Sequence, residues 1–362
     1  MDALAPLLDR IRAAAEQRTP LRIRGGGSKD FYGGPVQGEL LETRALAGIT
    51  SYEPTELVIT AAAGTPLVEL EAILAERGQC LPFEPPHFGG GATVGGMVAA
   101  GLSGPARASV GAVRDYVLGL TLVNGRGEVL TFGGQVMKNV AGYDVSRLMT
   151  GALGTLGLIT EVSLKVLPVS PAQATLRFEM AQAQALRRLN EWGGRPLPLN
   201  ASCWREQGGH GVLSLRLRGA VAAVHAACEQ LGGERVDDTQ AALEWAALRD
   251  HASPGFHSGQ GADLWRLGVA QTAPPIDLPG PTLIEWHGAQ RWVRSHEDDA
   301  PRIREVAAKA GGHATLFHSS RPGAAARRFT PLAAPLDRIH RELKRQFDPA
   351  GIFNRGRLSP DF

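Results

Sequence analysis

The apolar and polar positions of the chain follow two different patterns, one on each side of residue 168. In the first part, short strands and amphipathic helices are separated by clusters of glycine, beginning with the strand LRIR at residues 21–24 and the turn after it. In the second part the glycine clusters thin out and the elements become more regular. A chain of 362 residues is long enough for two domains. The pattern therefore predicts a turn-rich first domain and a more regular second one.

The helices of the first part carry recognisable end signals. An amphipathic helix is predicted at the N-terminus, where MDALAPLLDRIRAAAEQR places apolar residues at helical spacing. A strand and then a helix are predicted between residues 57 and 83, with Thr65 as the cap, Pro66 as the first helical residue and Gly78 as the left-handed end. Asp144 is expected to cap the short helix DVSRLM, because its carboxylate can accept hydrogen bonds from backbone N–H groups.

In the second part, the sequence pattern predicts six consecutive helices and strands. Strand, helix, two strands, helix and strand are read from ATLRFEM, AQAQALRRLNEW, NASCWRE, GVLSLRLRG, AVAAVHAACEQL and ERVDD. This βαββαβ order is that of a ferredoxin-like unit. The connector TAPPIDLPGPT, residues 272–282, is expected to separate this unit from a last strand-helix-strand set that ends at GGHATLFH. A helix in PLDRIHRELKRQF closes the chain, with its apolar residues on one stripe.

Composition excludes several classes of protein. The formal net charge of +2 is too small to indicate a nucleic-acid partner, and 43% hydrophobic with 20% charged residues is typical of a globular protein. The cysteines form no CxxC pair, so we predict no disulfide framework and no metal site. We find no signal peptide and no run of about 18 apolar residues, and we expect a cytoplasmic protein.

Three glycine clusters are the strongest candidates for binding chemistry. They lie at residues 24–29, 89–111 and 151–157. Successive backbone N–H groups in such turns can form a nest for phosphate oxygens, and glycine allows both the dihedrals and the close approach. For any single cluster, tight turning is the better explanation. Three clusters in one half of the chain favour a large phosphate-bearing cofactor.

The missing motifs narrow the choice of cofactor and chemistry. The sequence has neither the GxGxxG fingerprint of a dinucleotide-binding Rossmann unit nor the GxxxxGK[ST] of a P-loop. It also lacks HExxH and the GxSxG nucleophile elbow, which excludes common metalloproteases and α/β-hydrolases.

Long stretches of the chain resemble a known flavoprotein superfamily. They are RGGGSK at 24–29, PPHFGGGATVGGMVAAGLSGPARASVGAVRDYVLGLTLVNGRGEVL at 85–130 and KNVAGYDVSRLMTGALGTLGLITEVSLKVLP at 138–168. In this order they resemble the FAD-binding domain of the vanillyl-alcohol oxidase, or PCMH, superfamily. FDPAGIFNRGRL resembles the segment with which that family returns to its flavin domain, although Arg355 replaces the usual proline. VMKNVAGYDVSRLM and GGHATLFH are most similar to the smaller, E-type FAD-binding subunit of bacterial glycolate oxidase.

The resemblance implies an α+β fold with a two-subdomain, PCMH-type FAD-binding domain followed by a ferredoxin-like βαββαβ cap domain. We expect the FAD-binding domain at residues 1–168, the cap at 169–330, and a C-terminal helix and tail at 331–362 that return to the FAD domain. Many relatives carry a histidine after the first glycine cluster that bonds covalently to the flavin. Because Ser28 and Lys29 stand there in this chain, we predict noncovalent FAD.

The resemblance also implies the positions that bind the cofactor. The first cluster would donate N–H groups to the pyrophosphate, the second would line the pyrophosphate and flavin, and the third would follow the adenosine half. Lys29 and Arg107 would neutralise phosphate charge or, alternatively, lie as solvated cations. The implied residues are Arg24, Gly25, Gly26, Gly27, Ser28, Lys29, Pro85, Thr93, Gly95, Gly96, Ser103, Gly104, Arg107, Gly111, Gly154, Leu156, Gly157, Ile159 and Asn354.

Catalytic residues are not identifiable from the sequence. Oxidation of a 2-hydroxy acid needs a proton acceptor at the hydroxyl group and a cation for the carboxylate. Relatives that oxidise D-lactate or glycolate often carry a metal motif resembling HxGDGNxH, and the nearest stretch here, AGGHATLFH, lacks its Asp and Asn. His313, His318 and Arg321 remain candidates for substrate contact, with a structural or solvated role as the alternative. Tyr143 is expected either near the cofactor or in the core.

Three functions stay open at this point. The resemblance implies an FAD-binding subunit of a glycolate oxidase that converts glycolate to glyoxylate and passes electrons to an iron-sulfur subunit, with a larger FAD-binding subunit as a further partner. The complex would associate peripherally with the inner face of the membrane or remain free in the cytoplasm. The alternatives are a stand-alone FAD-dependent dehydrogenase of a small 2-hydroxy acid or alcohol, and a non-catalytic assembly subunit that keeps the fold.

Overall fold

The structure is a computed structural model that describes residues 3–134, 144–257, 262–321 and 327–360. The chain divides into two compact units, neither of which is continuous in sequence. The first unit contains Met1–Leu102, Ala112–Pro168 and Gly323–Phe362, and the second contains Ser103–Gly111 and Val169–Pro322. Residues 103–111, which the sequence analysis grouped with the first domain, therefore cluster with the second unit.

The first part of the chain alternates short helices and strands. One helix among them, α4, belongs to the second unit. The elements are α1 (Ala5–Gln17), β1 (Leu21–Arg24), β2 (Glu39–Glu42), β3 (Ile49–Glu53), β4 (Val58–Ala62), α2 (Leu67–Glu76), β5 (Gln79–Cys80), α3 (Val94–Ala100), α4 (Arg107–Val110), β6 (Val117–Val123), β7 (Val129–Gly133), α5 (Val145–Met149), β8 (Leu158–Lys165) and β9 (Leu167–Pro168).

The described residues of the first unit form a larger and a smaller hydrophobic core. The larger core packs α2 and α3 against an antiparallel sheet of order β3-β4-β8-β6-β7, and Leu67, Leu70 and Leu74 of α2 are fully buried there because they share one helix face. The smaller core packs α1 against the parallel pair β1-β2. Ile352 and Phe353, near the C-terminus, complete the smaller core. The end of the chain is thus built into the first unit.

The second unit is organised around one large sheet. Its strand order is β13-β10-β12-β11-β15-β16-β14-β17, and the first four strands with α6 and α7 form the predicted ferredoxin-like unit. The remaining elements are β10 (Ala172–Glu179), α6 (Gln182–Gly193), β11 (Leu199–Gln207), β12 (His210–Gly219), α7 (Val221–Leu231), β13 (Glu234–Arg235), α8 (Asp238–Arg249), β14 (Asp263–Gly268), β15 (Thr282–Glu285), β16 (Gln290–Ser295), α9 (Ala300–Lys309), β17 (His313–His318) and, in the first unit, α10 (Ala334–Phe347).

Two details of the second unit differ from the sequence analysis. The connector at residues 272–282 does not separate two sets of elements, since β14 precedes it and pairs with β16 and β17, which follow it. The helix α8 was missed because its apolar residues form no clear stripe. It is fixed to the sheet by Trp245, whose indole N–H donates to the Thr175 hydroxyl at 2.9 Å.

Helix ends match the sequence signals only in part. Asp144 caps α5, where its carboxylate accepts from the Arg147 N–H at 3.1 Å, and Gly78 has the left-handed conformation expected beyond α2. The prediction for the start of α2 was wrong, because Pro66 occupies the cap position and Leu67 is the first helical residue. The Thr65 hydroxyl instead accepts from the Gly48 N–H at 2.9 Å and donates to the Gly48 carbonyl at 3.1 Å. The Thr65 hydroxyl is therefore used in a contact with Gly48 and does not cap α2.

Within the described ranges, no helix is long and apolar enough to cross a membrane.

Candidate functional site

A cleft in the first unit brings together segments that are far apart in sequence. Its walls are β1 and the turn after it, α3 with its cap residue, one residue of the third glycine cluster and the C-terminal segment. We call residues 24–29 the glycine turn. The cleft is lined by Arg22, Ile23, Arg24, Gly25, Gly26, Gly27, Ser28, Lys29, Asp30, Pro35, Val36, Thr93, Gly96, Ala99, Ala100, Leu153, Asn354 and Arg357.

The glycine turn presents backbone donors to this cleft. The N–H groups of residues 25–28 donate no hydrogen bond to any residue in the described part of the chain, whereas those of Asp30 and Tyr32 are used within the turn. Such successive N–H groups form a site for an anion. A phosphate group in the cleft would satisfy donors that the protein leaves to water.

Positive charge surrounds the same turn. Arg22, Arg24, Lys29 and Arg357 line the cleft together with one carboxylate, that of Asp30. The Arg24 Nε atom lies 2.7 Å from Asp30 Oδ2, so the carboxylate is already engaged by a cation. Burial lowers the pKa of the Arg357 guanidinium, while the nearby Asp30 opposes this shift. The excess of cations favours a ligand that carries more than one negative charge.

The glycines of the turn are required by contacts within the protein. A Cβ atom on Gly25 would overlap the Thr93 hydroxyl, and one on Gly26 would overlap the carbonyl oxygen of Gly91. The turn and the loop before α3 therefore touch backbone to backbone. The first two glycine clusters build one wall because each leaves room for the other.

The predicted residues of the third glycine cluster lie outside the cleft, and Leu153 represents this segment in its lining. Leu156 and Ile159 are each only 7% exposed and belong to the hydrophobic core. A Cβ atom on Gly157 would lie 2.9 Å from the Val123 carbonyl oxygen, and one on Gly154 would lie 2.7 Å from Asn354 Nδ2. These glycines are explained by neighbouring protein atoms, and their contact with a cofactor is not needed to account for them.

The remaining residues that were predicted to bind the cofactor do not line the cleft. Gly95 faces Ala63, whose side chain a Cβ atom would approach to 2.6 Å, and Pro85 is buried but does not line the cleft. Ser103, Gly104, Arg107 and Gly111 belong to the second unit. The second glycine cluster is thus divided, with residues 89–102 in the first unit and residues 103–111 in the second.

Within the second unit, the segment before and in α4 packs against a turn of the sheet. The Trp286 indole N–H donates to the Gly104 carbonyl at 3.0 Å, and the Arg107 guanidinium lies 4.4 Å from the centre of the Trp286 ring. The guanidinium of Arg107 is therefore held against an aromatic ring, and its predicted role towards a phosphate group stays a prediction.

The candidates for substrate contact lie at or beyond β17 in the second unit. His313 begins this strand, and burial lowers the pKa of its imidazole, with the charges of Arg266 and Arg107 acting in the same direction. His318 ends the strand, and Arg321 is exposed beyond it. Among the described residues, no cluster of three or more His, Cys, Asp or Glu could hold a metal ion. Tyr143 lies outside the described residues.

Two cationic residues of the cleft, Arg22 and Arg357, are not among the predicted cofactor-binding positions. Arg22 lies two positions before Arg24 in β1, and the alternation of side chains along a strand places both on the same face. That signal was available in the motif LRIR. Arg357 donates to the carbonyl oxygens of Lys29 at 2.9 Å and Asp30 at 3.0 Å. The resemblance implies that the segment of Arg357 returns to the first domain, and the structure adds its hydrogen bond to Lys29, 328 positions away.

A buried histidine in the second unit predicts how stability depends on pH. The imidazole of His287 makes hydrogen-bonding contacts with the hydroxyls of Ser109 and Ser202, both at 3.1 Å, and burial lowers its pKa from 6.5 to about 4. Because the unfolded state binds the proton first, the free energy of unfolding should be highest above about pH 6.5 and fall as the pH drops towards about 4.

Urea unfolding of wild type and His287→Asn between those pH values tests this expectation. Asparagine tolerates the left-handed backbone of this position, where φ is 56°. The fall should be smaller in the variant and unchanged in His296→Asn, since His296 is exposed. Some fall should remain in His287→Asn, because burial also lowers the pKa of His251 to about 3. Identical pH dependence in wild type and His287→Asn would contradict the assignment.

Comparison with known proteins identifies the family of the chain. Residues 5–133 match a family model described as an FAD binding domain. Over 352 residues the chain is 49% identical to the glycolate oxidase subunit GlcE of Escherichia coli (strain K12), covering 97% of this chain and 96% of that protein. The chain belongs to the family of glycolate oxidase subunit GlcE. The resemblance drawn from the sequence is confirmed, and FAD is the cofactor of this FAD-dependent oxidoreductase family.

Two further matches have lower sequence identity. The glycolate oxidase subunit GlcD of Bacillus subtilis (strain 168) is 32% identical over 169 residues, covering 46% of this chain and 36% of that protein. The solved structure of a xylooligosaccharide oxidase from Myceliophthora thermophila C1 superposes with a TM-score of 0.68 at 17% identity, covering 99% of this chain and 90% of that one. This likeness confirms the predicted α+β fold.

Proposed function

We propose that the chain is the FAD-binding subunit of a glycolate oxidase and takes part in oxidising glycolate, a 2-hydroxy acid, to glyoxylate. The observation that carries the proposal is the 49% identity with a glycolate oxidase subunit along almost the whole of both chains. The cleft of the first unit supports it, because its donors and cations suit a cofactor with a diphosphate group.

In this proposal the glycine turn holds the diphosphate of FAD. The N–H groups of residues 25–28 donate to its oxygens, and Lys29 and Arg24 balance its charge. When bound, FAD would supply the redox chemistry of the subunit, because the flavin can take up and pass on two electrons. The described residues that line the cleft include no histidine, cysteine or tyrosine, which supports noncovalent attachment.

The partners follow from the same family relationship. The relative is named as a subunit. We infer that this chain assembles with a larger FAD-binding subunit of the GlcD type and with an iron-sulfur subunit that takes up the electrons. Assembly in the cytoplasm, with peripheral attachment of the complex to the membrane, stays a prediction. In this proposal the chain binds FAD, and the partner subunits are needed for electron transfer from glycolate to the iron-sulfur subunit.

Anaerobic reduction of the flavin by glycolate tests whether this chain needs its partner subunits for the reaction. We expect glycolate to leave the flavin of the purified chain oxidised, and to bleach the flavin absorbance near 450 nm once the partner subunits are present. Rapid bleaching of the chain alone would contradict the proposal and favour a stand-alone dehydrogenase. A complex that keeps full activity with an FAD-free variant of this chain would favour an assembly role.

A further inference from the structure

The side chain of Asn354 connects two parts of the cleft that are far apart in sequence. Its amide nitrogen Nδ2 donates to the Leu153 carbonyl at 2.7 Å, and its amide oxygen Oδ1 accepts from the Ile23 N–H at 2.8 Å. The partners lie 201 and 331 residues away. The residue is only 5% exposed, so water does not replace these bonds cheaply. An amide is needed, since one end must donate and the other must accept.

Both connected backbones belong to the wall of the cleft. Ile23 lines the cleft and is followed directly by the glycine turn. Leu153 is the residue of the third glycine cluster that lines the cleft. Leu153 itself has a φ of 54°, a left-handed conformation that leucine adopts at a cost. A hydrogen bond to its carbonyl therefore holds a strained residue in place.

Neighbouring residues are adapted to this amide. Gly154 has a φ of 70°, and a Cβ atom there would lie 2.7 Å from Asn354 Nδ2. Asn354 also has a left-handed φ, 41°, which asparagine tolerates better than most residues. Its backbone N–H donates to the Leu21 carbonyl at 3.0 Å, so β1 is held at two points. The geometry requires glycine at 154 and asparagine at 354 together.

We propose that Asn354 is a positioning residue for FAD, which sets the distance between the glycine turn and the Leu153 segment so that the cleft fits the cofactor. By linkage, FAD binding then stabilises the docking of the C-terminal segment on β1. The inference rests on FAD binding in this cleft and not on the identity of the oxidised substrate.

Titration of the apoprotein with FAD tests the proposal in two variants. Asn354→Ala removes both side-chain hydrogen bonds and should weaken FAD binding by about tenfold or more, with little change between about pH 6 and pH 8. Asn354→Asp keeps the acceptor for Ile23 but turns a carboxylate oxygen towards the Leu153 carbonyl, so it should bind poorly at about pH 8. At about pH 6 the buried carboxyl group is protonated, can donate to Leu153, and should recover most of the affinity.

The matched control is Arg355→Ala, because Arg355 is the exposed neighbour in the same segment and should leave FAD affinity unchanged. Thermal unfolding of each apoprotein separates loss of folding from loss of FAD binding. A wild-type chain that binds no FAD overturns the cofactor assignment itself. If wild type binds FAD, the inference on Asn354 is overturned by unchanged affinity in Asn354→Ala, or by equal weakness of Asn354→Asp at both pH values.

Discussion

Replacing Gly26 with alanine should weaken FAD binding by about 100-fold or more, although it adds a single methyl group. The added Cβ atom would overlap the carbonyl oxygen of Gly91, which is backbone and cannot rotate away as a side chain would. Either the glycine turn or the loop before α3 must shift, and both contribute residues to the cleft. The φ of Gly26 is not in the left-handed region, so the effect comes from lack of space and not from backbone strain.

Gly90→Ala provides the matched control. It makes the same chemical change next to Gly91, but no atom lies within 4 Å of the added Cβ. Its FAD affinity should equal that of wild type, and far-UV circular dichroism should show both variants folded. Equal FAD affinity of Gly26→Ala and Gly90→Ala would refute the assignment of this turn to the cofactor.

Replacing Lys344 with methionine should lower the free energy of unfolding by about 3–5 kcal/mol, because it leaves a buried carboxylate without its cation. Lys344 lies in α10 with its side chain 6% exposed, and its ammonium group donates to Asp348 Oδ2 at 2.7 Å. The same group donates to the carbonyl oxygens of Thr155 at 2.7 Å and Phe353 at 2.9 Å. The substitution therefore removes three hydrogen bonds and one buried ion pair.

The double variant Lys344→Met with Asp348→Asn should recover part of the loss. The N–H groups of Ile352 and Phe353 donate to the two different oxygens of Asp348, at 3.0 and 2.8 Å. The asparagine is uncharged and its single amide oxygen can still accept from one of them, so the recovery should be partial. Lys309→Met is the control, since its ion pair with Glu305 is solvent-exposed and its loss should change the free energy of unfolding far less. Chemical denaturation of the three variants measures these differences. Similar losses in Lys344→Met and Lys309→Met would contradict the structural account.

Helix α10 shows what periodicity can and cannot predict. Its apolar stripe predicted a helix, and the helix is present from Ala334 to Phe347. The stripe did not predict which side chain would be buried, because Leu336 and Ile339 are each 51% exposed while Lys344 is 5% exposed. A buried lysine depends on Asp348 and on two carbonyl groups, one of them almost 190 residues away. Local sequence carries no sign of such a partner.

The first glycine cluster and part of the second meet in one cleft, the predicted residues of the third lie outside it, and the binding of a cofactor there stays a prediction. Glycine in a sequence indicates that a side chain has no room, and it does not indicate what fills the space. At Gly26 and Gly154 the space is filled by Gly91 and Asn354, which are protein atoms. The glycine turn itself presents unused N–H groups, as expected for a phosphate site. The division between the two units at residues 103–111 had no signal in the local pattern, because it depends on the tertiary contacts of α4.

The FAD content of the purified wild-type chain tests the central claim most directly. The chain should be yellow, or become yellow on addition of FAD, and should hold about one FAD in noncovalent form. Acid denaturation should then release the flavin completely as intact FAD, leaving a colourless protein. A chain that stays colourless after incubation with FAD would contradict the account, and flavin that remains with the denatured protein would contradict its noncovalent attachment.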